Sequence, residues 1–321
     1  MKRFARPRRS LWLVLVVVIV GLAAASAVGA GLGFGGHEPD LTYTPKSEQL
    51  MPNIDVARQW AKNYYGAPTA VAGSGATGTW NTPLNLDSNY AKEAERVTDK
   101  GGHWLWARSH VRHRAIVLDV DDTSLTTWNY ELYSNWDFNP TTNASFVGLT
   151  GTTFTGNMFP ATPGMLDLAD KAHDLGYAIF WITGRGDSQH AATVANLQSD
   201  TAAGFADITS VTLSGKTVPE IDAGYPAPTP IDIGHGGFTD GLFTKPPVGS
   251  YPAYLNTPDF CGPSITAGVS CPTIQYKSGT RAYIESQGYN IVGNFGDQFS
   301  DLKGGFADMT FKMPNPNYYL P

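Results

Sequence analysis

At 321 residues, with 42% apolar and 12% aromatic side chains, the chain suits one large domain with extensions or two small ones, and its composition excludes a disordered polypeptide. Its net charge of −6 is unevenly spread: Lys2, Arg3, Arg6, Arg8 and Arg9 meet no acid within residues 1–36, and setting those five aside leaves −11 on the remainder. So acidic a body argues against nucleic acid as a partner, because a phosphate backbone demands basic surface, but a small phosphate ligand needs only one local cation.

The N-terminus reads as an export segment. "MKRFARPRRS" is a basic region, "LWLVLVVVIVGL" an apolar one, and "AAASAVGAG" offers small residues for cleavage after Ala27 or Ala30. A retained membrane anchor is the alternative, since residues 10–36 are uncharged and a span needs ~20 apolar residues. "RRSLWL" weakly resembles a twin-arginine signal. Residues 37–55 form a polar linker with three prolines, followed by a helix in "IDVARQWAKNYYG", a loop in "GAPTAVAGSGATG" and a second helix after the N-cap Ser88. These elements make a helical extension over 37–110.

From Arg114 apolar strands alternate with helices, the signature of a parallel sheet covered on both faces. "AIVLDV" is a strand, "TPGMLDLADKAHDLG" a helix, "YAIFWIT" a strand and "DSQHAATVANLQSDTAAG" a helix ending at Gly204. "ITSVTL" supplies a third strand, "GTRAYIESQG" a helix, "YNIVGNF" a strand and "DMTFKM" the last strand. Residues 214–275 interrupt this rhythm with ten of the 22 prolines and read as a loop-rich insertion within a core domain spanning 111–321. The two cysteines, Cys261 and Cys271, lie inside it, and an oxidising compartment would let them pair.

Ligands of an open parallel sheet bind beyond the carboxyl ends of its strands. There the chain places Asp119 and Asp121, then Thr183, Gly184 and Arg185, then Asp297 and Asp301, with Lys277 where the chain enters a helix. Carboxylates crowded at a strand end need compensation, and a hard cation such as Mg²⁺ takes oxygen ligands. A lysine and free N–H groups beside such a cation suit an anion. The combination fits phosphoryl transfer.

In this order "DVDDTSL", "ITGR", "YKSGTR" and "GNFGDQFSDL" resemble the four motifs of the haloacid dehalogenase superfamily. "QGYNIVGNFGDQFSDL" and the terminal "TFKMPNPNYY" are similar to its acid phosphatase subfamily IIIB, which includes secreted bacterial acid phosphatases and plant vegetative storage proteins. The resemblance implies a Rossmannoid three-layer α/β sandwich and assigns roles. Asp119 would be the nucleophile that forms an aspartyl-phosphate, and Asp121 the acid that protonates the leaving alcohol and then activates water. Thr183, with the N–H groups of Gly184 and Arg185, would hold phosphate oxygens, and Lys277 would neutralise phosphate and nucleophile. Mg²⁺ would sit on the Asp119 carboxylate, the Asp121 carbonyl and Asp297, with Asp301 ligating through water or supporting from behind.

Less specific readings stand beside these. Asp122 caps a turn or pairs with a cation, Thr123 braces the turn, and Arg185 pairs with a nearby acid or touches substrate. Lys216, Lys245 and Lys303 are the other candidates for the lysine role. The seven histidines form no metal-ligand spacing and read as ordinary core or surface residues. Trp128 and Tyr130 either pack the first loop or flank the substrate. The functional expectation is an exported Mg²⁺-dependent acid phosphatase acting on small phosphomonoesters, with any membrane contact confined to the N-terminal segment. A dehalogenase or phosphomutase would share the scaffold, and so would a non-catalytic storage protein, although some plant relatives of that kind lack the nucleophile that Asp119 supplies.

Overall fold

The computed structural model describes residues 38–66, 84–147, 159–198, 212–213, 216–217 and 224–320. The expected export segment, the loop over 67–78 and the helix end at Gly204 lie outside them. Among the described residues the strands are β1 (Arg114–Leu118), β2 (Ala178–Gly186), β3 (Thr212–Leu213), β4 (Lys216–Thr217), β5 (Leu242–Lys245), β6 (Asn290–Gly296) and β7 (Thr310–Lys312). Five of them form one parallel sheet in the order β5-β2-β1-β6-β7, while β3 and β4 make a separate antiparallel ribbon.

The central strand β1 shows why this sheet is covered on both sides. Ile116 and Leu118 point into one core, and Ala115 and Val117 into the other, so no residue of the run from 115 to 118 reaches water. Alternate residues of a strand face opposite sides, and an uninterrupted apolar run therefore demands a layer on each. The helices are α1 (Ile54–Tyr64), α2 (Asn89–Ala107), α3 (Trp128–Ser134), α4 (Pro140–Val147), α5 (Met165–Asp174), α6 (His190–Gln198), α7 (Gly262–Ala267), α8 (Thr273–Ser286) and α9 (Phe299–Leu302). One layer contains α2 and α5, which bury Ala94, Leu105, Met165, Leu168 and Ala172; the other is built on α8 through Tyr276 and Ile284. The architecture is the expected α/β three-layer sandwich.

Two expectations are corrected. "ITSVTL" does not supply the third parallel strand: Thr212 and Leu213 pair with Lys216 and Thr217 in the ribbon. That place belongs to β5, inside the stretch expected to be only an insertion. Four residues, "LFTK", carry too little periodicity to stand out among prolines and glycines, and tertiary pairing with β2 decides their state. Lys277 lies in the second turn of α8 and not before it. The stretch also holds the expected bridge between Cys261 and Cys271, on either side of α7. Among the described residues no helix is long and apolar enough to cross a membrane.

Helix α2 starts as expected, with Ser88 Oγ accepting the N–H of Ala91, and near its end it lies close against the sheet. A Cβ at Gly101 would stand 2.6 Å from the ring of Phe295, which is itself stacked on Phe311 at 4.5 Å. In an exposed helix Gly→Ala gains ~1 kcal/mol, but overpacking a core costs about 1–3 kcal/mol. A ring held from behind cannot yield, so the clash should win. Gly101→Ala is therefore expected to lower stability by about 1–2 kcal/mol in urea unfolding; a gain would show that the α2–sheet contact is looser than the stacked rings imply.

Candidate active site

The first loop explains how three aspartates can follow a buried strand. Asp119 continues the sheet, its N–H donating to the carbonyl of Phe295, and then the chain turns sharply, with the N–H groups of Ser124 and Leu125 both donating to the Val120 carbonyl. Ser124 Oγ donates to the Asp119 carbonyl at 2.6 Å, closing the turn from within. Asp122 adopts φ 52°, a left-handed conformation that aspartate tolerates better than most residues. Its carboxylate accepts the N–H of Thr127 at 3.0 Å and its hydroxyl at 2.6 Å. Asp122 is thus the capping residue of this turn. Burial pushes its carboxyl up to about 6.

Asp119 points the other way and is only 6% exposed. Its Oδ1 accepts from Lys277 Nζ at 2.5 Å, and the same ammonium reaches Asp301 Oδ1 at 2.6 Å. Asp119 Oδ2 accepts from no group among the described residues. Oxygens of Asp119, Asp297 and Asp301 lie within 4.8 Å of one another, all three residues buried. Burial holds the carboxyl of Asp119 well above the ordinary range, Lys277 opposes the shift, and Asp301 and Asp297 add to it. Asp297 is pushed up to about 7 by burial, Asp301 and Asp122. For Lys277 burial acts downward, but the two aspartates outweigh it and hold the ammonium above its usual value. One cation facing three carboxylates leaves negative charge uncompensated. An all-oxygen set of this kind could hold a divalent cation.

The scaffold behind the cluster is tight. Asp301 sits so close to β6 that a Cβ at Gly296 would meet its own Cβ at 2.3 Å. Gln298 N–H donates to Asp301 Oδ2 at 2.8 Å, forming the capping box of α9. Fully buried Arg281 donates to the carbonyls of Asp301, Lys303 and Gly305, clamping the chain after β6 onto α8. Sequence reading assigned Arg281 no part.

The second motif behaves differently from expectation in one respect. Thr183 is buried at the end of β2, its Oγ1 accepting the N–H of Arg185 at 3.1 Å, and Gly184 is exposed with open space where a Cβ would be. Arg185, however, turns its guanidinium onto Asp121, with Nη2 2.6 Å from Oδ1 and Nε 3.0 Å from Oδ2. Thr193 Oγ1 accepts a third bond from it at 3.1 Å. Of the two readings, pairing with an acid is the one observed. Asp121 contributes no carboxylate to the buried group. Its side chain is 31% exposed and is held by this fork.

Lys303 pairs with Glu38, Lys245 ends β5 and Lys216 lies in β4; Lys277 is the candidate lysine that contacts Asp119 and Asp301. Trp128 and Tyr130 are buried and pack the first loop. The Trp128 ring stacks on Tyr65 at 4.1 Å, and Tyr65 stacks on Tyr90 at 4.1 Å; Tyr130 packs edge-on against Phe146 and hydrogen-bonds Asn139. His190 and His235 are not idle: they join Asp187, Asp240 and Thr244 in a network that ties the loop after β2 to β5. Thr123, read as a turn brace, donates to Asp297 Oδ1 at 3.1 Å. Asn315 and Gln298 each donate to Asp297 Oδ2 at 2.7 Å. Both were missed. The only sequence signal for Asn315 was the terminal "PNPNYY", which carries no chemistry on its face.

Comparison with known proteins was made against this geometry. The family model of the HAD superfamily, subfamily IIIB (acid phosphatase) matches residues 80–221 and 269–321, well over half of the chain. Acid phosphatase 1 of Solanum lycopersicum is 27% identical over 242 residues, which are 72% of this chain and 69% of that protein. Vegetative storage protein 2 of Arabidopsis thaliana is 46% identical over 54 residues, and stem 28 kDa glycoprotein of Glycine max 53% over 49; the matches take in 17% and 15% of this chain. The chain spans only about a fifth of the length of these two. The class C acid phosphatase of Bacillus anthracis with tungstate bound aligns over 82% of this chain and 86% of its own, with a TM-score of 0.46 and 16% identity. On the extent of the family match, the chain belongs to the HAD superfamily, subfamily IIIB, the acid phosphatase subfamily.

Proposed function

We infer that this protein is an exported, Mg²⁺-dependent phosphatase that hydrolyses small phosphomonoesters through an aspartyl-phosphate on Asp119. The observation that carries the reading is the Lys277 ammonium held between Asp119 and Asp301 in a buried carboxylate cluster at the strand tips. The basic-apolar-small pattern of residues 1–36 and the Cys261–Cys271 bridge support export.

Lys277 fixes one oxygen of Asp119, which leaves Oδ2 to attack phosphorus while the ammonium offsets the gathering negative charge. As the Asp119–phosphorus bond forms, the bond to the leaving oxygen breaks, and Asp121 delivers its proton to that oxygen. Asp121 as carboxylate then takes a proton from water, whose oxygen displaces the phosphoryl group and returns Asp119. Arg185 aims Asp121 in its carboxylate state, its fork engaging both oxygens while the side chain stays partly open to water. For the acid step the oxygen that carries the proton turns out of the fork and the other stays on the guanidinium. Thr183 and the open backbone at Gly184 receive the phosphoryl oxygens. Asp119, Asp297 and the Asp121 carbonyl would hold Mg²⁺, with Asp301 assisting, and the cation would supply charge neutralisation at the phosphoryl oxygens.

Asp119→Asn is expected to cut turnover of p-nitrophenyl phosphate by at least about a thousandfold, since it removes the attacking group itself. The variant should fold at least as well as the wild type without metal, because it relieves a crowded negative site. Near-normal turnover would sink the mechanism.

Metal removal has a pH-dependent signature. Burial raises Asp122 to about 6 and Asp297 to about 7, and burial with Asp122 raises Glu131 to about 8. In the metal-free folded state these groups keep protons that the unfolded chain releases near pH 4. The native state therefore binds more protons across the window, and stability falls as pH rises. Thermal melting of EDTA-treated protein should drop from pH 5 to pH 8, with Mg²⁺ restoring both activity and melting temperature, most at pH 8. A melting temperature that climbs across the window, or rescue by Zn²⁺ but no hard cation, would contradict the ligand reading.

A further inference from the structure

We propose that Asn315 is a positioning residue for Asp297, selecting which oxygen of that carboxylate faces the cation; the proposal rests on the metal-dependent reading above. A carboxylate oxygen offers about two lone-pair sites. Asp297 Oδ2 receives two donors, Asn315 Nδ2 and Gln298 Nε2, both at 2.7 Å. Among the described residues Oδ1 receives only Thr123 Oγ1, at 3.1 Å. One oxygen is filled and the other keeps a free site on a residue that sits within the Asp119–Asp301 group. The donors thereby convert a carboxylate that could bind through either oxygen into one that binds through Oδ1.

The amide itself is locked. Asn315 Oδ1 accepts the N–H of Asn317 at 2.8 Å, so a flipped amide would lose that bond and turn its oxygen against a carboxylate. Asn317 is held in turn, donating to Tyr65 Oη at 3.0 Å and accepting from Trp136 Nε1 at 3.3 Å. Pro314 and Pro316 flank Asn315 and restrict the backbone on either side. Upstream, Met313 N–H donates to the Gly296 carbonyl, which pins the segment to the residue just before Asp297. The residue type also fits: a lysine here would compete with the cation and an aspartate would repel Asp297, whereas a neutral amide orients without neutralising. Its weaker contact with Asp122 Oδ2, 3.4 Å, links the same amide to the first-loop turn.

The test counts bound Mn²⁺ on the full chain by the electron paramagnetic resonance signal of the free ion. The proteins compared are wild type, Asn315→Ala, Asp297→Ala and Asn317→Ala. Losing an outer partner of a metal ligand typically weakens affinity 10- to 100-fold. Asn315→Ala is expected to fall in that range, with kcat recovering to within a few-fold at saturating metal and the metal-free melting temperature unchanged. Mn²⁺ affinity within twofold of wild type, while Asp297→Ala loses the ion, would overturn the role of Asn315 and leave the phosphatase reading standing. A wild type that binds no Mn²⁺ would overturn both. Should Asn315→Ala not fold, Asn317→Ala keeps the backbone N–H that Asn315 Oδ1 accepts but frees the segment from Tyr65 and Trp136; it should shift affinity in the same direction, and no shift would equally overturn the proposal.

Discussion

Everything near the strand tips follows from placing one lysine between two buried aspartates. Lys277 reaches Asp119 and Asp301 at 2.5 and 2.6 Å with almost no water nearby. Removing the ammonium would cost about 3–5 kcal/mol, because both buried carboxylates would be left uncompensated, whereas an Asp119 without its charge still leaves Lys277 its Asp301 partner. The site therefore tolerates little displacement of β1, α8 or the chain after β6. Arg281 holds the second to the third, β1 is hydrogen-bonded to β6, and Gly296 lets Asp301 come within reach. The fold delivers rigidity where charge is crowded and leaves open space at Gly184.

The division of labour among the aspartates follows from their surroundings. Asp119, Asp121 and Asp122 are neighbours in sequence, yet one meets an ammonium, one a guanidinium and one the donors of its own turn. The strand's alternation and the left-handed residue at Asp122 send the side chains in three directions. Only the first joins the buried carboxylate group. Arg185 takes the second out of that group and holds it at the edge of solvent.

Much of this was legible in the sequence. Apolar strands alternating with helices gave the layered architecture, and carboxylates after two of those strands marked the working edge. What stayed hidden depends on contacts between distant residues. Trp128 could not be assigned between packing and substrate because the residue that covers its face, Tyr65, comes from the N-terminal extension. Asn315 acts on Asp297 only because β7 returns beside β6. Arg185 could not be assigned because a guanidinium after a motif threonine suits an acid and a phosphate equally, and only packing against Thr193 decides. β5 was lost for a different reason: a four-residue strand among prolines has no periodicity to detect.

The bridge between Cys261 and Cys271 sets a boundary for motion. Cys271 stands two residues before α8, the helix that bears Lys277, and β5 ties the same stretch to the sheet through β2. A segment fastened to the sheet and covalently closed just ahead of that helix passes little of its own motion on to the lysine, so the ammonium keeps its place between the two aspartates.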